Sequence, residues 1–460
     1  MTIKNKNKAK GILIKNLFLV DKKMAYDIII GRDESDKKKF GDKGLIYIGK
    51  GYVKMGQYTS LSNRILMDVA RSHVVLVAGK RGSGKSYTIG AIMEELANLP
   101  SETAKNIASI VFDTMGIFWT MKYENEKDKD LLHDWELKSK SLPVKVFVPF
   151  GKVDDYKQKS IPVDNTFALK ASELEAEDWI TLFNVDITSL PGVLVERTVT
   201  DLLESRKNYN LVDIQIAIEE DKTADRVTKE IASSLFKAAD TWGIFAKRAE
   251  EGTEISDLVN AGTTTVLDVS VYSSVGAFNV RALVISLISR KLFKSRMDAR
   301  KKEELEAIQH GQEYLAYKST REEPLVWIFI DEAHEFLPRE GKTPATDALI
   351  QLLREGRQPG ISLVMATQQP GKIHTDVMTQ SDIVIAHRVT ARPDIEALNE
   401  IMQTYLLENI KEEMNKLPSL KGSAILLDDN SERLYPIRVR PRFTWHGGEA
   451  PTAIKAEVRI

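Results

Sequence analysis

Residues 76–89 read LVAGKRGSGKSYTI, and the eight residues GKRGSGKS (79–86) within them decide the fold. Gly79, Gly84, Lys85 and Ser86 satisfy the pattern G-x-x-x-x-G-K-[ST] in full. Glycines at these places let backbone N–H groups turn inward around phosphates, and the following helix presents its N-terminus to them. Lys85 then reaches the β- and γ-phosphates, and Ser86 offers a hydroxyl to Mg²⁺. The flanks agree with this. VVLVA (74–78) is a continuous apolar strand, and Ile89, Ile92, Met93 and Leu96 share one helical face before Pro100. Gly79, Arg81, Gly82, Ser83, Gly84, Lys85, Ser86 and Tyr87 are therefore the predicted ATP contacts. The loop alone does not say whether it serves a kinase, a switch or a motor.

The downstream segment LVWIFIDEAHEF (325–336) narrows that choice. Its strand is apolar on both faces, as a central parallel strand is, and it ends in Asp331–Glu332. Asp331 is expected to hold Mg²⁺ through water, and Glu332 to polarise an attacking water as general base. A guanine-reading NKxD is absent, which argues against a switch. A small-molecule kinase needs no water-activating Glu, so a hydrolytic motor fits better. LLREGRQPGISLVMATQQP (352–370) supplies a third element. Gln368 closes a strand expected beside the Asp331 strand, where its amide can sense the γ-phosphate. Two readings stay open for Arg354 and Arg357: an arginine finger completing a neighbouring subunit's site, or surface partners of Glu355 or Glu332.

At 460 residues and a formal net charge of −1, the chain has material for two or three domains and no overall basic character. The absence of cysteine excludes disulfides and thiolate chemistry and fits a cytoplasmic location. The longest apolar runs, such as ALVISLI (282–288), fall far short of the ~18 residues of a membrane span, so no membrane association is expected.

The N-terminal residues 1–10 carry four lysines and read as a basic tail. Residues 11–70, with ILIKNLFLV, YDIIIG and LIYIGKGYV, suggest a small antiparallel β-barrel in which RDESDKKKFGDKG (32–44) is a loop. Alternating strands and helices over 71–169 and 261–420 indicate one α/β core with a mainly parallel sheet. Residues 170–260 read as a helical insertion that opens with a capping box, Ser172 and Glu175. Residues 421–460 form a C-terminal extension with the strand-like runs SAILL and YPIRVR.

GKRGSGKS, FIDEAHEFLP, LLREGRQPGISLVMATQQP and SDIVIAHRV resemble the HerA branch of the FtsK–HerA superfamily of hexameric DNA-translocating ATPases. IRVRPRFTWHGGE (437–449) resembles that branch's C-terminal signature. The resemblance implies a RecA-like P-loop core, an N-terminal β-barrel and a helical insertion. It further implies a homo-hexamer that hydrolyses ATP with Mg²⁺, moves along or unwinds double-stranded DNA, and works with a NurA-like nuclease in end resection and recombinational repair. In the family, an arginine of the neighbouring protomer completes the ATP site. The alternative is a ring-forming ATPase scaffold in an antiviral defence complex with an effector enzyme. Two departures stand out: Arg81 replaces a small residue or threonine, and DTMG (113–116) stands where relatives carry Asp-Pro-x-Gly-Glu-Tyr. The loops LPREGKTPATD (337–347) and QPGKIHTDVM (369–378) would line a channel, with Arg339, Lys342 and Lys372 as DNA-phosphate contacts. Neither loop has an aromatic run for stacking single-stranded bases, which favours duplex DNA.

Overall fold

The computed structural model describes residues 26–448 apart from 56–57, 206–207, 249, 274–277, 312–315, 317, 319 and 403–409. The basic tail and ILIKNLFLV (12–20) lie outside the described residues. In chain order the first strands are β1 (Ile28–Ile30), β2 (Leu45–Met55), β3 (Tyr58–Asp68), β4 (Val74–Ala78), β5 (Ile107–Asp113), β6 (Lys145–Pro149) and β7 (Asn165–Phe167). They are followed by β8 (Thr264–Asp268), β9 (Leu325–Ile330), β10 (Ile361–Thr367), β11 (Ile383–His387), β12 (Ser423–Asp428) and β13 (Arg433–Val439). All join one sheet in the order β1-β3-β2-β13-β12-β11-β4-β10-β9-β5-β8-β6-β7. From β11 to β7 every neighbouring pair is parallel. A strand buried on both faces needs near-continuous apolar sequence, and VVLVA, LVWIFI and ISLVMAT supply it.

Helices cover both faces. Helix α2 (Lys85–Ala97) lays Ile89, Ile92, Met93 and Leu96 against Val75, Val77, Val111, Phe329 and Val364. On the other face α7 (Phe278–His310) and α8 (Thr346–Glu355) pack Leu283, Leu287, Leu349 and Leu352 over Ile110, Ile328, Leu363 and Met365. Between β7 and β8 the chain forms α3 (Ala176–Phe183), α4 (Leu190–Ser205), α5 (Leu211–Glu220) and α6 (Arg226–Thr241). These close around Trp179, whose ring lies 5.0 Å from Phe236 and 5.1 Å from Phe245. The capping box sits one turn later than expected, on Glu175 and Asp178.

The barrel expected over 11–70 includes ILIKNLFLV, outside the described residues; β1–β3, which are described, extend the central sheet through β13. Gly49 makes that junction: a Cβ there would lie 2.3 Å from the Arg438 carbonyl oxygen, so only glycine lets the two backbones meet. The charged stretch 32–44 is not simply a loop, for it contains helix α1 (Glu34–Phe40). Asp33 caps it, Glu34 and Asp36 occupy its first turn, and Lys37–Lys39 its last, matching the helix dipole. Arg32 beside it is buried in an ion pair with Asp68.

The C-terminal runs are likewise interior parts of the sheet: β12 pairs with β11 and β13 with β2. Beyond β13 the chain passes behind α2 and engages Glu94, which is fully buried. Glu94 accepts from Arg440 Nη1 at 2.8 Å, Arg442 Nε at 3.1 Å, the Phe443 and Thr444 amides at 2.9 and 3.0 Å, and Thr444 Oγ1 at 2.6 Å. Burial opposes its charge, but Arg440 and Arg442 outweigh burial and hold its carboxyl below the usual range.

Replacing Glu94 by Ala leaves two buried guanidiniums without their anion. We expect a loss of about 3–5 kcal/mol in urea unfolding. A second linkage is pH-dependent. His73, at the foot of β4, meets Asp382 at 2.7 Å and Asp68 at 3.1 Å. Burial works against its protonation, yet the two carboxylates raise it to about 9 from 6.5. Its contribution is therefore complete below about pH 6.5 and vanishes as pH rises through 9, a loss of up to about 3 kcal/mol. Unfolding midpoints should fall across that window in the wild type and stay flatter in His73→Gln.

Candidate nucleotide site

The site is assembled at the carboxyl edge of the parallel strands. β4 delivers the loop, β10 lies next to it and β9 beyond, so Ala78 and Thr367 end side by side and Ile330 ends level with Met365, two residues before them. Gly82 and Gly84 adopt φ of 74° and 113°, backbone that favours glycine. Gly79 answers a different need: a Cβ would stand 2.5 Å from Ser83 Oγ and 2.7 Å from the His387 Cβ. Ser83 Oγ is buried without a hydrogen-bond partner, a donor available to a phosphate.

Lys85 is buried and its Nζ donates to the Lys80 carbonyl at 3.2 Å. Burial draws the ammonium down from its ordinary range, while Glu332 and Asp331 pull it back up. Ser86 Oγ donates to Asp331 Oδ2 at 2.5 Å across a separation of 245 residues. Burial pushes the Asp331 carboxyl up, against the hydrogen bonds from Ser86 and the Glu332 amide and the charge of Lys85. This hydroxyl and carboxylate are hard oxygen donors side by side. Among the described residues no cluster of three or more His, Cys, Asp or Glu builds a protein-only metal cage. The pair fits Mg²⁺ that takes its other ligands from phosphates and water.

Glu332 is held in an unusual state. Its φ of 51° is a left-handed backbone that costs a non-glycine residue about 1–3 kcal/mol. Gln368 Nε2 donates to Oε1, whereas Oε2 is buried and accepts nothing. Burial raises its carboxyl, as does the Asp331 charge, against Gln368 and Lys85. A carboxylate starved of solvation is a stronger proton acceptor once a water reaches it.

The structure thus brings Lys85, Ser86, Asp331, Glu332 and Gln368 together. Arg81 and Gly82 are exposed on the loop. Tyr87 departs from expectation: its side chain turns from the loop, the hydroxyl accepting the Arg442 amide at 2.7 Å and the ring meeting His446 edge-on at 5.3 Å. Arg354 pairs with Asp376 of α9 (Thr375–Gln380) at 2.7 Å, rather than with Glu355 or Glu332. Arg357 is exposed just before β10 begins. The seven residues of β10 at about 3.3 Å each place it roughly 20 Å from the loop of its own chain. Arg339 and Lys372 are neighbours, the Arg339 amide donating to the Lys372 carbonyl at 2.8 Å. Lys342 is held by Asp347 at 2.9 Å.

Two histidines went unread, and Asp113 of DTMG gains a definite place. His387 ends β11 beneath the loop, 2.8 Å from Thr88 Oγ1, and burial pushes it down to about 4, so it is neutral. A histidine closing the wholly apolar IVIA was its only signal. His334, inside DEAHE, lies 3.2 Å from Thr367 Oγ1. Asp113 stands level with Asp331, because Phe112 pairs with Ile330. Its oxygens accept the Gly116 and Phe118 amides at 2.8 Å, which makes it the cap of the DTMG turn.

Known proteins resemble this chain in sequence and in fold. Residues 53–292, 240 of the 460, match the family described as helicase HerA, central domain. A probable helicase of Methanocaldococcus jannaschii is 23% identical over 411 residues, 86% of this chain and 66% of that protein. The DNA double-strand break repair helicase HerA of Pyrococcus furiosus is 27% identical over 149 residues, 30% of this chain and 24% of its own. This chain therefore spans less than two thirds of either relative. Among solved structures, VirB4 of Thermoanaerobacter pseudethanolicus shares the fold, with a TM-score of 0.52 at 12% identity over 87% of this chain and 96% of that one. With more than half its length matched by that family, the chain belongs to the HerA helicase family.

Proposed function

We propose that this chain is an ATP-hydrolysing translocase or helicase on double-stranded DNA, acting as a ring of six copies. The observation that carries the reading is Glu332, half-buried, raised in pKa and with one carboxylate oxygen buried and unpartnered, facing the charge of Lys85. Lys85 and the loop amides hold the triphosphate, and Glu332 Oε2 takes a proton from the attacking water. Gln368, already on Glu332 Oε1, keeps the carboxylate oriented. Ser86 and Asp331 would hold Mg²⁺, which would supply neutralising charge to the phosphates. A site furnished for hydrolysis in this way favours a motor over an inert scaffold.

What one chain lacks supports an assembly of several copies. Arg357, exposed at the far edge of β10, reaches a triphosphate only on a neighbouring copy, and Arg354 is engaged with Asp376. Arg339 and Lys372, on loops joined to each other, are the DNA-phosphate contacts; Lys342 is partly neutralised by Asp347. Family membership, with a relative named for double-strand break repair, supports a role beside a NurA-like nuclease in end resection and recombinational repair.

The test is ATP turnover with and without linear duplex DNA, together with DNA binding between 50 and 200 mM salt. Turnover indifferent to DNA and binding indifferent to salt would sink the reading. Lys85→Ala should abolish binding of a fluorescent ATP analogue, whereas Glu332→Gln should bind it normally and turn over at least about a hundredfold more slowly. Mixing inactive Arg357→Ala with inactive Lys85→Ala subunits should restore part of the turnover; no recovery at any ratio would place the arginine outside the site.

A further inference from the structure

His334 has no part in the chemistry above, yet its imidazole stands among the groups that have one. Nδ1 lies 3.2 Å from Thr367 Oγ1 and 3.7 Å from Glu332 Oε2, the buried oxygen that accepts no hydrogen bond. Nε2 lies 3.3 Å from the Gln369 side-chain nitrogen. With Gln369 donating to Nε2, the ring proton belongs on Nδ1, directed between Thr367 and Glu332; this tautomer is assigned from the partners. Thr367 closes the network, for its hydroxyl accepts the Gln369 amide at 3.0 Å and its carbonyl accepts the Gly79 amide at 3.2 Å.

Gln369 also begins the segment that carries Lys372. That segment is fastened to the stretch following Glu332. The Arg339 amide donates to the Lys372 carbonyl at 2.8 Å, the His374 amide to the Leu337 carbonyl at 2.7 Å, and Pro338 bridges Ile373. Gln368 fixes one oxygen of Glu332, so the other is left to whatever His334 does.

We infer that His334 is a positioning residue that ties the angle of the Glu332 carboxylate, through Gln369, to the position of segment 369–374. Displacement of that segment at Lys372 or Arg339 is thereby felt at the carboxylate. The inference rests on Glu332 being the base of the proposed hydrolysis.

The test is a double-mutant cycle on ATP turnover with His334→Ala and Gln369→Ala, without DNA and with linear duplex DNA. Each single variant should lower kcat about tenfold with KM held within about twofold, and the double variant should be no slower than the slower single, because both cut one path. His334→Asn, whose amide N–H falls near the Nδ1 position, should recover most of the loss. Losses that multiply to about a hundredfold in the double variant overturn the inference, as does wild-type kcat in His334→Ala. Wild-type turnover indifferent to DNA sinks the functional reading alone, since the cycle is still read from DNA-free kcat. If the wild type turns over no ATP, hydrogen exchange decides. His334→Ala must then speed amide exchange across 369–374, and unchanged exchange overturns the inference.

Discussion

Met365 of β10 is hydrogen-bonded between Leu76 of β4 and Ile330 of β9, and that parallel register governs the rest of the molecule. It brings the glycine loop, the acidic strand end and Gln368 to one edge at one height, although they are separated by hundreds of residues. A slip of one residue in β9 would turn Asp331 to the opposite face and leave Ser86 without its partner. The register is secured by apolar packing on both faces, α2 on one and α7 with α8 on the other.

Against this rigid base, the acidic pair is conspicuous for being left incomplete. Glu332 combines a left-handed backbone with a carboxylate oxygen that is buried and unsatisfied. Each is unfavourable by itself, and they coincide at the residue best placed to meet a water. Asp113 and His387 nearby are by contrast satisfied: Asp113 caps its turn, and His387 is shared between Thr88 and Ser423.

Much of this was legible in the sequence because the evidence was periodic or local. The strands β4, β9 and β10 declare themselves as unbroken apolar runs, and the face of α2 by its spacing. What stayed hidden depended on partners far along the chain. Glu94 looks like any helix glutamate until Arg440 and Arg442 arrive some 350 residues later. The charged run 32–44 masked helix α1, because its stability lies in Asp33 and in the order of its charges rather than in an apolar face. The N-terminal strands carry barrel-like alternation in either arrangement. Only β13 decides that they extend a sheet, and it pairs through a glycine whose value is a missing side chain.

The passage of residues 440–444 behind α2 also has a consequence for the order of assembly. During synthesis α2 emerges early with an anion on its inner face, and nothing made for the next several hundred residues neutralises it. Strands β1–β3 wait in the same way, since their route into the sheet is through β13. A nascent chain can therefore stack β4, β10 and β9 while β1–β3 stay undocked, and one late segment completes both attachments together. Closure from the carboxyl side makes β13 a checkpoint, so that chains halted before it carry an open sheet edge and an uncompensated charge on α2.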